Sequence, residues 1–410
     1  MESSINATDT LWVMVSAALV MLMTPALGFF YGGLVRRKNV LSTIMHSFFM
    51  LGLISVQWVL WGYSLAFGPD HGGLIGGLSW LGLNGVGMEP NPDYAGTIPH
   101  QVFMIYQGMF AVITPALITG AFAERKRFKA FAIFSVLWAT LVYDPIAHWV
   151  WGTGGWLRDL GALDFAGGTV VHISSGMSAL VAALIMGRRL GFGREELSPH
   201  DLTMTVLGAG LLWFGWFGFN AGSALGVNEL AVNAFVVTNT AAAMAALTWM
   251  TLSWIHQRQP SVLGVAAGAV AGLVAITPAA GFVGVPAAVL IGLGAGFLCY
   301  WAVQLKEKLG IDDSLDVWGV HGVGGVWGAL ATGIFATTAV NPGAVDGLLY
   351  GNVRPFLVQI LAIVIVSAYA MAVTWGILKV LDATIGLRVA TEEEEMGLDA
   401  TQHGEIAYQL

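Results

Sequence analysis

Apolar residues in this chain come in runs of about twenty, the length that crosses a bilayer as a helix. They do not alternate with polar residues as exposed strands would require. Clusters of charge, Pro and Gly interrupt the runs. They predict eleven helices, at 10–33, 40–67, 99–122, 128–150, 168–187, 202–222, 231–256, 261–278, 285–305, 317–338 and 355–385. The stretch from Gln259 to Leu305 holds no charged residue, and Thr277-Pro278 and Gly284-Val285-Pro286 split it into a hairpin of two helices. The predicted fold class is an all-α membrane protein: a transmembrane domain over 1–385 and a tail over 386–410.

Two pairs of segments repeat. Phe30-Tyr31-Gly32-Gly33 with Asn39 matches Phe219-Asn220-Ala221-Gly222 with Asn228 at one spacing. Val171-His172 is followed by Gly176, and Val320-His321 by Gly324. Helices 1–5 (about 10–190) and 6–10 (about 200–340) then form two halves, with helix 11 (about 355–385) outside the repeat. Five is odd, so the halves insert with opposite orientation. Inverted repeats of this kind place a transport pathway at their interface near the midplane. Gly264, Gly268 and Gly272 form a small-residue ridge on helix 8, and Gly324 and Gly328 repeat the spacing on helix 10. Such ridges let helices approach closely where lipid gives them little other reason to associate.

Composition narrows the class. Asp, Glu, Lys and Arg make up 10% of the chain, against about 25% for a soluble domain. A soluble enzyme, a disordered chain and a nucleic-acid binder are excluded, and the net charge of −8 implies no polyanion partner. The single cysteine, Cys299, excludes a disulfide framework and a cysteine metal site. Of 17 basic residues, only Arg158 and Arg354 fall on one side of the predicted topology. The positive-inside rule puts the N-terminus outside and the C-terminus in the cytoplasm, in the cytoplasmic (inner) membrane. Met1 to Thr10 has no basic residue, so no cleavable signal is expected.

Chemistry concentrates on few residues. His46, His71, His100, His148, His200, His256 and His403 fall in loops, near helix ends or in the tail, where solvated or interfacial roles are expected. His172 and His321 lie within helices 5 and 10, which enter from opposite faces, so both approach the midplane. Ionisable groups there are functional by default and should be paired. No metal spacing surrounds them, and no metal or cofactor is expected. Asp164 occupies the N-cap region of helix 5. Trp138, Trp149, Trp151 and Trp156 surround the outer end of helix 4, and Trp213, Trp216, Phe217 and Phe219 line helix 6. Such rings serve as an interfacial belt or hold a cation by its charge. Asp144 has His148 four residues on, and a local ion pair is the plain expectation.

These motifs resemble those of the ammonium transporter family (Amt/MEP/Rh), on its Amt branch of bacterial and archaeal type. The likeness covers essentially the whole chain. It is carried by Gln107-Gly108-Met109-Phe110-Ala111, Ala121-Phe122-Ala123-Glu124-Arg125, Ala147-His148-Trp149-Val150-Trp151-Gly152, Asp164 to His172, Gly215 to Ser223, Asp316 to Gly322, and the tail from Gly386 to Tyr408. The resemblance implies a homotrimer with one pore per subunit. It places Phe110, Trp151 and Ser223 in an outer ammonium-recruitment site, with Tyr106 at an aromatic position where several members carry Phe. It makes Phe110 and Phe219 a stacked gate, His172 and His321 the paired pore histidines, and Asp164 a support behind the recruitment site. Trp151 favours the Amt over the Rh branch. Ammonium is the implied substrate, methylammonium a second candidate, and ammonia the species passing the pore. The alternatives are an ammonium sensor and a passive gas channel. An intramembrane enzyme lacks its nucleophile and base.

The tail carries Glu392 to Glu395, then Gly397-Leu398-Asp399, His403-Gly404-Glu405 and Tyr408. Its acidic run opposes the basic loops Arg125–Lys129 and Arg188–Arg194, a plausible docking pair. In the family this segment is a regulatory tail, on the face where a PII-type regulatory protein (GlnK) binds.

Overall fold

The structure is a computed structural model that describes residues 5–408. Every predicted helix is present: α1 Ala7–Leu34, α2 Arg37–Phe67, α3 His100–Phe122, α4 Phe128–Leu160, α5 Gly168–Met186, α6 Leu202–Ala224, α7 Glu229–Gln257, α8 Val262–Ile276, α9 Val285–Lys308, α10 Trp318–Gly322 continuing as Val323–Phe335, and α11 Val353–Ile385. Among the described residues nine are long and apolar enough to cross a membrane. The predicted count of eleven is therefore reached only with α8 and α10, which are shorter than expected. Helix α8 stops at Ile276 because Thr277-Pro278 opens a turn. Helix α10 stops at Phe335 because Ala336 leaves the helical conformation. Large apolar side chains such as Phe48, Phe214, Leu247, Phe297 and Trp375 point outward, as in a multi-pass membrane protein.

Side-chain caps start several helices. Asn6, Asp201, Asn228, Ser261 and Asn352 each accept backbone N–H groups of the first turn of α1, α6, α7, α8 and α11. Asn39, matched to Asn228 by the repeat, makes no cap of its own.

Small residues set the packing. A Cβ on Gly272 would stand 2.4 Å from Ala241 O, and one on Gly328 would stand 2.3 Å from Ala275 O. The predicted ridges therefore seat α8 on α7 and α10 on α8. Helices α5 and α10 also cross closely. A Cβ on Gly176 would lie 2.2 Å from Gly322 N, and one on Gly325 would lie 3.1 Å from His172 Cβ. The α10 counterpart of Gly176 is thus Gly325, four residues after its histidine, and not the expected Gly324, which faces Val274 and Cys299.

Four of the span helices contain a π-helical turn: Trp58–Gly62, Ala139–Tyr143, Gly168–Ile173 and Trp318–Gly322. Periodicity gave no sign of them. The extra residue in each turn re-aims the side chains it carries, and π turns recur at functional sites for that reason. Two of the four hold His172 and His321.

Candidate functional site

Six helices meet around a narrow passage: Met23, Leu27 and Phe30 of α1, Ile113 and Leu117 of α3, Val171 and His172 of α5, Leu212, Trp216 and Phe219 of α6, Val270 of α8, and His321 of α10. Helices α1, α3 and α5 are matched by their repeat counterparts α6, α8 and α10. The open space is only about 10 Å³, room for one water at most. The wall offers two polar side chains, and they face each other: His172 Nδ1 lies 3.2 Å from His321 Nδ1, with ring centroids 5.2 Å apart. A contact between two Nδ1 atoms requires one N–H and one bare nitrogen. One ring therefore carries its proton on Nδ1 and leaves Nε2 as an acceptor. His172 Nε2 is buried with no hydrogen-bond partner. Trp216 and Phe219 stack on the His172 ring at 5.5 and 6.0 Å and fix its plane.

Above the passage lies a cavity of about 190 Å³. Phe110, Trp151 and Ser223 line it, with Phe67, Tyr94, Phe103 and Phe165 adding aromatic wall. The Phe110 ring separates it from the passage, 4.3 Å from Phe219 and 6.0 Å from Trp151. Ser223 Oγ donates to Phe219 O at 2.9 Å, which leaves its lone pairs as acceptors.

Tyr106 does not reach the cavity. It is fully buried behind Ser223, its hydroxyl 3.1 Å from Ser223 Oγ and 2.9 Å from Phe219 O. Its hydroxyl is satisfied there as a strut.

Asp164 sits beneath the same wall. Its carboxylate accepts the backbone N–H groups of Gly167, Gly168, Thr169 and Val170 at 2.7, 2.6, 2.8 and 3.2 Å, and the Thr169 hydroxyl. Its carbonyl accepts Trp151 Nε1 at 2.9 Å. One residue thus caps the turn that carries His172 and holds the cavity's tryptophan.

A sequence model described as the Ammonium Transporter Family matches residues 11–408. The chain belongs to the ammonium transporter family. It is 55% identical over 402 residues to an ammonium transporter of Bacillus subtilis, covering 98% of both chains. It is 51% identical over 397 residues to the ammonium transporter Amt1 of Archaeoglobus fulgidus, covering 97% of this chain and 98% of that one. Among solved structures it is similar to Saccharomyces cerevisiae Mep2, at 40% identity and a TM-score of 0.92 over 99% of this chain and 92% of the other. A structure titled Sensor Amt Protein matches at 30% identity and a TM-score of 0.89, covering 97% and 98%. Family members are membrane transporters, not enzymes.

Below His321 the transporter opens into an inner cavity of about 200 Å³ lined by Tyr31, Ser253, Gln257, Glu307 and Asp316 among others. The tail packs on the helix ends beside this cavity and lines none of it. Leu387 and Val389 pair by backbone with Arg127 and Arg125. A short helix, α12 Thr391–Met396, follows. Gly397 has φ 106°, and a Cβ there would meet Lys38 O at 2.6 Å. Leu398 is buried and donates from N–H to Asn39 Oδ1 at 2.8 Å. Asp399 accepts Leu41 N and Ser42 N at 3.0 and 2.8 Å, and so caps α2 in place of Asn39. The His403 ring stands edge-on to Phe128 at 5.0 Å. Tyr408 bonds His200 Nε2 at 3.2 Å beneath Arg37. Glu392, Gly404 and Glu405 are exposed.

The expected pairing of acidic tail with basic loops is largely absent. Of the glutamate run only Glu394 is buried, held by Arg388 of the tail itself at 2.7 Å and by Leu190 N at 2.8 Å. The loop arginines pair elsewhere: Arg189 with Asp312 at 2.8 Å, and Arg125 with Asp312 O at 2.6 Å. Burial raises the Glu124 carboxyl, but Arg189 and Arg36 hold it below the usual range. Lys126 is buried over the Phe122 and Phe134 rings at 3.8 and 4.0 Å. Backbone caps, not charge pairs, fix the tail.

Two further expectations fail. His46, His100 and His148 are buried rather than solvated. His148 pairs not with Asp144 but with Asp70, at 2.9 Å, because the outer hairpin β1 Asp70–His71 and β2 Ile75–Gly76 folds over α4. Asp144 instead accepts Gln57 Nε2 of α2 at 2.8 Å. Residues the sequence reasoning missed are Gln107, Phe103, Tyr94, Asp93 and Arg158, all lining the outer cavity. Gln107 stands three residues before Phe110 and so shares its helix face, the one signal that could have found it.

Proposed function

We propose that the transporter recruits ammonium at the outer cavity, hands its proton on to the His172–His321 pair and conducts ammonia through the passage, with net movement of charge. The observation that carries this reading is the Nδ1–Nδ1 contact of His172 and His321 inside a passage with room for one water at most. An idealised transfer of an ion into such a medium costs about 20 kcal/mol, and ammonia avoids that cost. Trp151 and Phe110 each attract the cation by up to about 2 kcal/mol. Ser223 Oγ and Gln107 Oε1, which is buried without a partner, accept its N–H groups. Ammonia then passes the Phe110–Phe219 gate and meets the free Nε2 of His172 as an acceptor. The proton travels separately, relayed by a histidine pair that already shares one.

This reading includes a homotrimer with eleven spans per subunit in the cytoplasmic membrane, N-terminus outside and C-terminus inside. Methylammonium shares the route. The tail over 386–410 is regulatory, and a PII-type partner (GlnK) binds the face that the tail covers.

Ammonium-evoked currents on solid-supported membranes test the mechanism. Purified protein in liposomes is expected to give currents with ammonium and methylammonium and none with potassium. Replacing both His172 and His321 by Ala should abolish them or open the passage to potassium. Undiminished and equally selective currents refute the histidine role, and flux without current refutes net charge movement. The likeness to a sensor Amt protein favours a second reading, an ammonium receptor. It predicts ligand-dependent tail rearrangement with no flux.

A further inference from the structure

The outer cavity has two formally charged residues in its wall, Asp93 and Arg158. Arg158 is committed. Its Nη1 donates to Trp151 O at 2.8 Å and to Thr153 Oγ1 at 3.2 Å, which fixes a positive charge beside the recruitment ring. Two other carboxylates near this wall, Asp164 and Asp70, are spent. Asp164 holds four backbone N–H groups and Thr169, and Asp70 holds His148 Nε2 and Gly73 N at 2.9 and 2.8 Å. Asp93 differs. Only its backbone N–H is bonded, to Asn91 Oδ1 at 3.0 Å. Its exposed carboxylate has no hydrogen-bond or ion-pair partner among the described residues.

We propose that Asp93 is the recruiting and cation-selecting residue of the outer cavity, the free negative charge that draws ammonium in past Arg158. Aromatic faces attract a cation only near contact. A carboxylate in the wall of a low-dielectric cleft acts over the cleft's whole depth and raises the local concentration of cations. With Asp93 the wall is formally neutral, and without it the wall carries the +1 of Arg158 against an incoming cation. The charge belongs at the rim rather than in the passage, because a fixed carboxylate beside the gate would hold the ion that must lose its proton there.

The inference rests on the cavity's being the ammonium-recruitment site. Asp93→Asn and Asp93→Lys change the wall's charge by one and two units at an exposed side chain, so folding is not at stake. Currents are measured against ammonium concentration at low and high sodium chloride, with initial uptake of radiolabelled methylammonium as a readout independent of current. In low salt Asp93→Asn should raise the half-saturating concentration about two- to fivefold, and Asp93→Lys further. The difference should shrink once the screening length falls toward about 3 Å at 1 M. Both substrates should shift in parallel. Variants that match wild type in low salt overturn the inference while leaving the transport reading intact. So does a fall in maximal current at unchanged half-saturation, the mark of a structural role. Wild-type protein that moves neither substrate overturns the transport reading and this inference with it.

Discussion

Asp164 and Asp144 are both buried carboxylates, and the same substitution should have opposite effects on them. Asp164 Oδ1 accepts Gly167 N and Gly168 N, and Oδ2 accepts Thr169 N, Val170 N and the Thr169 hydroxyl. An amide in either orientation turns its NH2 toward at least two backbone donors. Hydrogen bonds to charged groups contribute about 1.5–3 kcal/mol each, so losing two costs about 3–6 kcal/mol. That is a large share of the roughly 5–15 kcal/mol that holds a soluble domain folded.

Asp144 presents the reverse case. Its Oδ2 accepts Gln57 Nε2 at 2.8 Å, while its Oδ1 and Gln57 Oε1 are both buried without a partner. An amide N–H in place of Oδ1 supplies the donor this pair lacks, a gain of about 1 kcal/mol. Thermal unfolding in detergent, followed by tryptophan fluorescence, compares the two. Asp164→Asn should lower the midpoint sharply and abolish transport, because its turn carries His172. Asp144→Asn should hold or raise the midpoint and keep transport. Equal destabilisation by the two variants would refute the reasoning.

Removing the tail's cap with Asp399→Ala should weaken docking by about 0.5–2 kcal/mol. Hydrogen exchange at Leu41, Ser42 and 391–403 should then rise about 2- to 30-fold, and unchanged exchange would count against the cap. Gly176→Ala drives a methyl into the α10 backbone and should cost at least about 1–3 kcal/mol, with currents lost as His172 and His321 are pushed apart. Burial pushes the Asp313 carboxyl up to about 6, against the pull of Lys306. The folded state thus binds that proton more tightly than the unfolded state. Stability should fall as pH rises from about 4 to about 6, and Asp313→Asn should flatten that slope in unfolding midpoints taken across pH.

How much was legible depended on the range of the interaction. Helix positions follow from hydropathy and from Pro, Gly and charge, which act locally, and all eleven segments are helices near their predicted bounds. The Gly272 and Gly328 contacts were readable for the same reason: spacing along one helix defines a face. That a tail follows α11 was legible, but its mode of docking was not. Charge pattern suggested ion pairs, whereas Asp399 and Asn39 meet through backbone groups that no composition records.

The sequence by itself determined a multi-pass helical membrane protein, its family, and the pairing of His172 with His321 through the repeat. It did so because bilayer hydrophobicity and repeat spacing are one-dimensional signals. Only the tertiary structure decided which polar groups find partners. It moved Tyr106 behind Ser223, gave His148 to Asp70, left Asp144 facing Gln57, and left the Asp93 carboxylate free. Those outcomes turn on where the π turns at 58–62, 139–143, 168–173 and 318–322 re-aim side chains and on how the outer hairpin folds over α4. Both depend on contacts between segments far apart in the chain, which local pattern does not encode.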